Sequence, residues 1–200
     1  MYTEIEDSFL KPPIVPLSRG RLSLIDTEDF DRVMQFKWSA EKSVHSFYAF
    51  RRVSKKSFIS LHRFIMGIHD RHIFVDHKNG NGLDNRRENL RICTRLDNSR
   101  NRGKFIKGES IFKGVNIKYT KYPTYVSRIR VDKKLIHLGT FDTEIDAAIT
   151  YNIAAKKFFG QFARLNPIPT EYQLRIPIIN TQRKKLICIT LEEFSKKIGE

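Results

Sequence analysis

The sequence predicts an α+β protein built from small modules, and three patterns lead to this prediction. Short segments that alternate apolar and polar residues recur between turn residues, which is typical of half-buried β-strands. A polar, Asn-rich and Gly-rich stretch over 70–102 interrupts them with a hairpin followed by a helix. Three further strand-like segments then lead into an alanine-rich amphipathic segment, which predicts an antiparallel sheet backed by one helix.

Residues 1–60 are expected to form a small α+β unit that begins with a loose arm over 1–13. The segment after this arm alternates like two strands that turn at an Arg-Gly dipeptide. Asp26 or Thr27 is suited to cap the short helix that follows, and two or three short strands come next. The apolar residues expected in the core are Phe30, Val33 and Met34 of that helix and the aromatic residues Trp38, Phe47, Tyr48 and Phe58.

Residues 61–102 are expected to form a second module, with a helix, a β-hairpin and another helix. One hairpin strand ends at His77, and the other runs around Ile92. A long turn with two Asn-Gly-type signals joins them. Thr94, with Asp97 three residues later, predicts the start of the last helix because this spacing is that of a capping pair.

Residues 103–111 read as a hydrophilic linker to a third module over 112–166. Its helix is expected to begin after Thr143, with Asp146 three residues later as capping partner. Residues 167–200 are an extension of unassigned role that ends in a short capped helix. The apolar stripe of the third module's helix comprises Ala147, Ala148, Tyr151, Ala154, Ala155 and Phe158.

Charge is the strongest feature of the composition. Lys and Arg number 37 against 22 Asp and Glu, which leaves a net charge of +15. Such an excess attracts polyanions, above all nucleic acid. No apolar run reaches the roughly 18 residues of a membrane span, and the first residues do not read as a secretory leader. We therefore expect a soluble protein that is neither secreted nor membrane-bound and works inside the cell, in the cytoplasm of a bacterial host or wherever the host DNA is.

Four polar residues fall on the predicted hairpin and on the helix after it: Asp76, His77, Asn89 and Asn98. Phosphodiester hydrolysis needs a base for water and a divalent cation that neutralises the charge on phosphate and leaving oxygen. Neighbouring strand residues point to opposite sides, so Asp76 is expected on the metal and His77 on the water. The Asn98 amide oxygen can join the same metal, and such hard ligands favour Mg²⁺ or Mn²⁺ over zinc. Asn89 is expected to orient the His77 region.

Other histidines give weaker signals. His62 either steers this site or is a hydrogen-bonded core histidine, and the sequence favours neither interpretation. A zinc site formed by His69, His72 and Cys93 lacks the paired ligand spacing that such sites use.

The segment from Leu61 to Arg102 resembles the HNH endonuclease motif, the hairpin-and-helix metal site of many phage and intron-encoded nucleases. His77 matches the general base of that family, and Asn89 matches its central asparagine. Asn98 stands where the third motif residue, usually histidine, binds metal. The resemblance is thus to an H-N-N variant of this ββα-metal module, in which Asp76 completes the metal site. The arginines expected to hold phosphate near the cleaved bond are Arg86, Arg87, Arg95 and Arg100.

The predicted sheet over 112–141 is basic, with seven Lys or Arg residues and one Asp. Alternate strand residues share a face, so Arg128 and Arg130 project from one side while Ile129 points towards the helix. A twisted sheet of this kind can enter a major groove, where Arg reads guanine edges and Lys holds phosphates. A charged face that contacts only solvent is the alternative.

The motifs "FKGV", "HLGTF", "AAITYNIAAKKFFG" and "ARLN" follow one another in this module and resemble the APETALA/ethylene-response-factor DNA-binding domain over 112–166. The resemblance implies a three-stranded sheet in the major groove with the helix behind it. Arg128, Leu135 and His137 differ from the residues typical of the plant factors, so their target sequence does not carry over. The residues expected to face DNA are Lys113, Asn116, Lys118, Arg128, Arg130 and His137.

Together the two resemblances predict a homing-type endonuclease of phage or mobile-element origin that acts on double-stranded DNA without a small-molecule cofactor. One metal site per chain favours nicking by a monomer, whereas a dimer could cut both strands. A regulator whose nuclease module has decayed stays open, and so does a non-specific DNA-packaging protein. Metal-dependent cleavage that is lost in His77→Ala would distinguish an active nuclease from the regulator. A changed sequence preference in Arg130→Ala would contradict the non-specific packaging protein.

Overall fold

The computed structural model describes residues 12–44, 46–104, 109–172, 177–181 and 185–188. The chain divides into two compact units, of which the first ends at Ser99 and the second begins at Arg100. Each unit combines α-helix with antiparallel strand pairs, so the predicted α+β class is confirmed. Most of the predicted N-terminal arm and the predicted C-terminal helix lie outside the described residues.

The first unit begins with a two-stranded antiparallel hairpin and continues into a three-stranded sheet. The hairpin turns where Arg19 and Gly20 adopt left-handed backbone angles, with φ of 62° and 63°. The predicted Arg-Gly turn is therefore confirmed. The elements are β1 (Ile14–Pro16), β2 (Leu22–Leu24), α1 (Phe30–Met34), β3 (Ser39–Lys42), β4 (Phe47–Ser54), β5 (Ser57–Ser60) and α2 (Leu61–Ile65).

A second hairpin and a helix complete the first unit. They are β6 (Phe74–His77), β7 (Leu90–Cys93) and α3 (Arg95–Arg100), of which the last residue, Arg100, already belongs to the second unit. The helix begins as expected, because the Asp97 N–H donates to Thr94 Oγ1 at 3.1 Å and the Thr94 hydroxyl donates to the Asp97 carboxylate at 2.7 Å. This reciprocal pair satisfies an N–H of the first turn that has no partner within the helix.

One hydrophobic core joins both halves of the first unit. Since residues on either side of position 60 share it, a boundary between 1–60 and 61–102 stays a prediction. The buried residues that form its centre include Val15, Ile25, Val33, Trp38, Leu61, Ile65, Val75 and Leu90.

Three expectations for the first unit are wrong. Phe58 is 59% exposed, because it lies outside the core, where the Arg52 guanidinium stacks over its ring at 5.3 Å. Met34 is 43% exposed at the end of the five-residue α1. Asp26 makes no capping hydrogen bond to the turn that precedes α1, because its carboxylate accepts the backbone N–H of Arg87 at 2.7 Å instead.

The second unit contains the predicted three-stranded sheet, in the order β10 (Lys134–Phe141), β9 (Thr124–Val131) and β8 (Val115–Lys118), with the long helix packed on it. The Asp146 N–H donates to Thr143 Oγ1 at 3.1 Å, which confirms the predicted cap. Gly114 has a φ of +77°, and a Cβ there would collide with the Tyr151 ring of the helix. The elements are β8 (Val115–Lys118), β9 (Thr124–Val131), β10 (Lys134–Phe141), α4 (Glu144–Phe159), β11 (Ile178–Thr181) and β12 (Lys185–Cys188).

Residues 178–181 and 185–188 add a strand pair to this unit, in which β11 and β12 are antiparallel and β11 contacts β10. The sequence had not indicated these strands. Across the described part of the chain, no helix has the length and apolar character that crossing a lipid bilayer requires.

Candidate active site and nucleic-acid interface

The β6–β7 hairpin brings the predicted site residues onto one ββα element. Asp76 pairs in register with Arg91, and His77 pairs with Leu90. The strands are joined by a long loop, and α3 follows β7 after a single residue. The hairpin and the helix therefore form where the sequence predicted them.

His77 is buried at the end of β6, with 4% of its surface exposed. Its Nε2 lies 3.1 Å from Asn85 Oδ1. The rings of Tyr48 and His62 approach it edge-on, with ring centroids at 5.7 and 5.0 Å. Burial lowers the pKa of His77, whereas the hydrogen bond to Asn85 and the charges of Asp76 and Asp84 act against that decrease. The imidazole is therefore neutral at pH 7.

Asp76 is also buried, and its charge is compensated by Arg91. Asp76 Oδ2 accepts from Arg91 Nε at 3.0 Å and from Arg91 Nη2 at 2.6 Å. The two side chains are only 7% and 10% exposed. In an ion pair this well buried, removing either charge destabilises the fold, because the other charge would remain buried without its partner.

Asn98 and Asp76 both lie near the thiol of Cys93. Burial, followed by the charge of Asp76, raises the pKa of Cys93 to about 11, while Arg91 and the backbone of Asn98 act in the opposite direction. Within the described ranges, the side-chain amide of Asn98 makes no hydrogen bond. The contact of Asn98 with this thiol is through its backbone, so joint metal binding by Asp76 and the Asn98 side chain stays a prediction.

Asn89 organises the loop of the hairpin and does not bind the imidazole of His77. Its Oδ1 accepts the Asn79 N–H at 3.0 Å, and its Nδ2 donates to Asn79 Oδ1 at 3.1 Å and to the Asp84 carbonyl at 2.7 Å. The Asn89 carbonyl accepts the N–H of Lys78, which follows His77. Asn89 consequently fixes the loop that carries Asn85.

Two arginines expected to hold phosphate are instead bound to carboxylates. Arg86 donates from Nε and Nη2 to the two oxygens of Asp84, both at 2.8 Å. Arg87 donates to the buried Asp29 at 2.8 and 2.9 Å. The first pair lies within the loop and the second ties the loop to the residue before α1, while phosphate binding by these arginines stays a prediction.

The other two arginines of that group differ from one another. Arg95 is exposed on α3. Arg100 stacks over the Phe159 ring at 5.0 Å, and its guanidinium lies 3.7 Å from the Asp132 carboxylate. Arg95 is therefore the one whose surroundings suit a phosphate contact best.

The β8–β10 sheet presents most of the predicted DNA-facing residues on one exposed face. In the antiparallel registers, His137 lies opposite Arg128, and Asn116 lies opposite Val126. Directly paired residues point to the same side of a sheet. Ile129 is buried against α4, as expected. The exposed residues of this face are Asn116, Lys118, Arg128, Arg130 and His137.

Lys113 departs from this pattern. Its Nζ donates to the carbonyl oxygens of Arg100 and Arg102 at 2.7 and 2.6 Å. Burial, followed by the charge of Arg164, lowers the pKa of Lys113 to about 8. The structure therefore directs this ammonium group to backbone carbonyls and not to the exposed face of the sheet.

The remaining histidines do not form a metal site. Among the described residues, no group of three or more His, Cys, Asp and Glu side chains could hold an ion, which leaves no zinc site at His69, His72 and Cys93. His62 Nε2 lies 3.2 Å from Ser60 Oγ, and its ring contacts His77. Burial lowers the pKa of His62 to about 3.

Asn85 and Arg91 are the functional candidates that the sequence did not indicate. Asn85 is fully buried and bonded to His77, and Arg91 neutralises Asp76. Asn85 lies within the polar turn and Arg91 on the strand after it, and their burial is what distinguishes them from the other polar residues there. A fully buried amide must have hydrogen-bond partners, and this is the signal that the structure adds.

Comparison with known proteins agrees with this geometry. Residues 69–100 match the family model described as HNH endonuclease. This stretch, which contains the β6–β7 hairpin and α3, is thus similar to the HNH endonuclease family. It is 28% identical over 170 residues to an uncharacterized HNH endonuclease of Acanthamoeba polyphaga mimivirus, which covers 82% of this chain and 84% of the viral protein. Both findings support a nuclease.

A second similarity is partial. Over 71 residues the chain is 38% identical to the APETALA2-like protein 2 of Oryza sativa subsp. indica, which covers 35% of this chain and 16% of the rice protein. The japonica protein of the same name matches to the same extent. No solved structure shows significant similarity to the chain.

Proposed function

We propose that this protein is a metal-dependent DNA endonuclease of the homing type, which binds double-stranded DNA and hydrolyses one strand per encounter. One observation carries the proposal. It is the neutral, buried His77 beside Asp76 on a ββα element that lies within the region matching the HNH endonuclease model. A base and a metal ligand on adjacent strand positions suit hydrolysis of a phosphodiester bond.

His77 acts as the general base in this proposal. A neutral imidazole has one ring nitrogen with a free lone pair, which can accept the proton of the attacking water. Because burial lowers its pKa, that lone pair remains available at pH 7 and somewhat below. The edge-on rings of Tyr48 and His62 limit how the imidazole can rotate.

Asp76 and Asn98 are the residues that would hold a divalent cation. Carboxylate and amide oxygens are hard donors, which fits Mg²⁺ or Mn²⁺. When bound, such a cation supplies stabilisation of the negative charge on the phosphate and leaving oxygen. Asp76 already accepts from Arg91, so this arginine shares the carboxylate with any cation that binds there. Asn89 contributes by holding the loop through Asn79 and Asp84.

The second unit supplies sequence recognition in this proposal. Its exposed sheet face carries Arg128 and Arg130 with a neighbouring histidine and lysine, a composition suited to guanine edges and phosphates in a major groove. Arg95 is the phosphate contact that we favour in the first unit, because its side chain is exposed. Monomeric action with one cation per chain would give a nick, and a double-strand cut would require two chains.

The test is conversion of supercoiled plasmid carrying random inserts, with Mg²⁺ or with EDTA. We expect wild type to nick the plasmid only with Mg²⁺, and His77→Ala to lose this activity. His69→Ala is the matched control, because His69 is exposed and lies outside the site. Metal-dependent nicking that persists in purified His77→Ala would contradict the assigned base. Mapping the ends produced by wild type would give the target sequence.

A DNA-binding regulator with a degenerate nuclease is the second candidate. The observation that favours it is the buried Asp76–Arg91 pair, since it occupies a predicted metal ligand. This candidate predicts sequence-specific binding by wild type and His77→Ala alike, with no cleavage at any Mg²⁺ or Mn²⁺ concentration. In either case Arg130→Ala should change the preferred sequence, whereas a non-specific packaging protein would show no preference to change.

A further inference from the structure

We propose that Asn85 positions His77 by fixing which ring nitrogen carries the proton, and that β2 holds Asn85 for this purpose. The arrangement concerns a hydrogen-bond network in the first unit, and its consequence for catalysis rests on the proposed nuclease function. Asn85 and Ser23 are both 0% exposed, so water cannot take the place of either partner.

The orientation of the Asn85 amide follows from its partners on the side away from His77. Asn85 Nδ2 lies 2.7 Å from Ser23 Oγ and 3.4 Å from the Gly82 carbonyl oxygen. The Gly82 oxygen can only accept, and the Ser23 hydroxyl already donates its hydrogen to the Leu83 carbonyl at 2.9 Å. Two acceptors on one side require the NH₂ group there, which turns the amide oxygen towards His77.

The tautomer of His77 follows in turn. An amide oxygen only accepts, so the His77 Nε2 that lies 3.1 Å from Asn85 Oδ1 must carry the hydrogen. A neutral imidazole has one protonated nitrogen, and the lone pair therefore belongs to Nδ1. Asn85 thus selects Nδ1 as the atom that accepts a proton from water.

The backbone of β2 fixes Asn85 itself. The Leu24 N–H donates to the Leu83 carbonyl at 2.9 Å, and the Asn85 N–H donates to the Leu24 carbonyl at 2.8 Å. Ser23, the partner of the Asn85 amide, lies on the same strand. The N-terminal hairpin is far from the motif in sequence, yet through Asn85 it determines the tautomer of His77.

The experiment is NMR of the full chain labelled with ¹⁵N-histidine at pH 8, where an imidazole with an ordinary pKa of about 6.5 is neutral. The signals of His77 are assigned by their loss in His77→Gln. We expect a protonated, slowly exchanging Nε2 and an unprotonated Nδ1 in wild type. In Asn85→Leu the Nε2–H resonance should move upfield or vanish through exchange, because its acceptor is gone. Asn85→Asp should retain it, because a carboxylate oxygen still accepts.

Asn166→Leu is the matched control, since Asn166 is also a buried asparagine with a hydrogen-bond network of its own, in the second unit. It should leave the His77 signals unchanged. A wild-type proton on Nδ1 would overturn the proposal, and so would an Nε2–H signal that is the same in Asn85→Leu. If Asn85→Leu does not fold, Ser23→Ala replaces it, because loss of the serine frees the amide to rotate and should shift the same signal.

Cleavage gives a separate readout. We expect Asn85→Leu to nick about tenfold to a hundredfold more slowly, by analogy with the loss of a partner that orients a metal-binding histidine, and Asn85→Asp to recover part of this loss. Wild type with the expected tautomer but no cleavage would contradict the nuclease function and leave the positioning role intact. Cleavage by a wild type that carries the His77 proton on Nδ1 would contradict the positioning role and leave the nuclease function intact.

Discussion

Replacement of Arg91 by methionine should reveal the cost of burying the Asp76 carboxylate. The two side chains are 10% and 7% exposed, and two donor atoms of the arginine approach one carboxylate oxygen at 2.6 and 3.0 Å. Removal of one partner from a buried ion pair costs about 3–5 kcal/mol, because the remaining charge stays buried without that partner. We expect Arg91→Met to lower the free energy of unfolding of the first unit by about this amount.

A divalent cation should restore part of that stability. In Arg91→Met a cation bound at Asp76 would replace the missing positive charge, whereas in wild type it must share the carboxylate with the guanidinium. A ligand that binds only the folded state at ten times its dissociation constant stabilises by about 1.4 kcal/mol. The stabilisation by Mg²⁺ or Mn²⁺ should therefore be larger in Arg91→Met than in wild type at the same concentration.

The assay is urea denaturation with metal or with EDTA for wild type, Arg91→Met and the double variant Asp76→Asn/Arg91→Met. The double variant is the matched control, since it removes both charges and should unfold with a much smaller loss and no metal effect. An equal metal effect in wild type and Arg91→Met would refute the assignment of Asp76 as a metal ligand. A decrease in the free energy of unfolding well under 1 kcal/mol in Arg91→Met would refute the stated cost of burying Asp76 without Arg91.

Two further predictions concern stability. Gly82→Ala should destabilise the first unit by about 1–3 kcal/mol, because its Cβ would lie 2.5 Å from the Phe47 carbonyl oxygen and from a Tyr48 ring carbon. Gly103→Ala, with open space around it, should be nearly neutral, and equal effects in urea denaturation would contradict the close packing. For His62 the pKa is about 3 in the folded state and about 6.5 when unfolded, so the unfolded chain binds the proton between these values and stability falls as the pH drops below 6.5. His62→Gln should therefore reduce the stability lost between pH 6.5 and pH 5 by up to about 2 kcal/mol, and an unchanged loss would count against a buried neutral His62.

The elements that the sequence predicted correctly are those specified by neighbouring residues. Thr94 and Thr143 each have an aspartate three residues later, and both cap a helix as expected. The turn at Arg19-Gly20 forms for a similarly local reason. The short aromatic strands gave a weaker signal, because Phe58 has the residue type of a core position but lies on the outside of β5.

The parts of the site that escaped prediction depend on partners far apart in the chain. Asn85 bonds Ser23 across 62 positions, and Arg87 bonds Asp29 across 58. No sequence periodicity links such distant positions. With a net charge of +15, arginines in a basic run are expected to have no carboxylate partner within the protein. The structure distributes that charge differently, because aspartates of the first unit bind Arg86, Arg87 and Arg91.

This distribution implies that, under the proposed function, affinity and chemistry reside in different units. The arginines bound to carboxylates in the first unit are poorly placed to gain energy from phosphate, because each would have to leave an existing ion pair. Arg128 and Arg130 of the second unit are exposed, and no ion pair with another described residue would have to be broken first. Substitution of the sheet arginines should therefore weaken binding and reduce its dependence on salt. Substitution of His77 should abolish cleavage at nearly unchanged affinity, since its imidazole is buried and bonded within the protein.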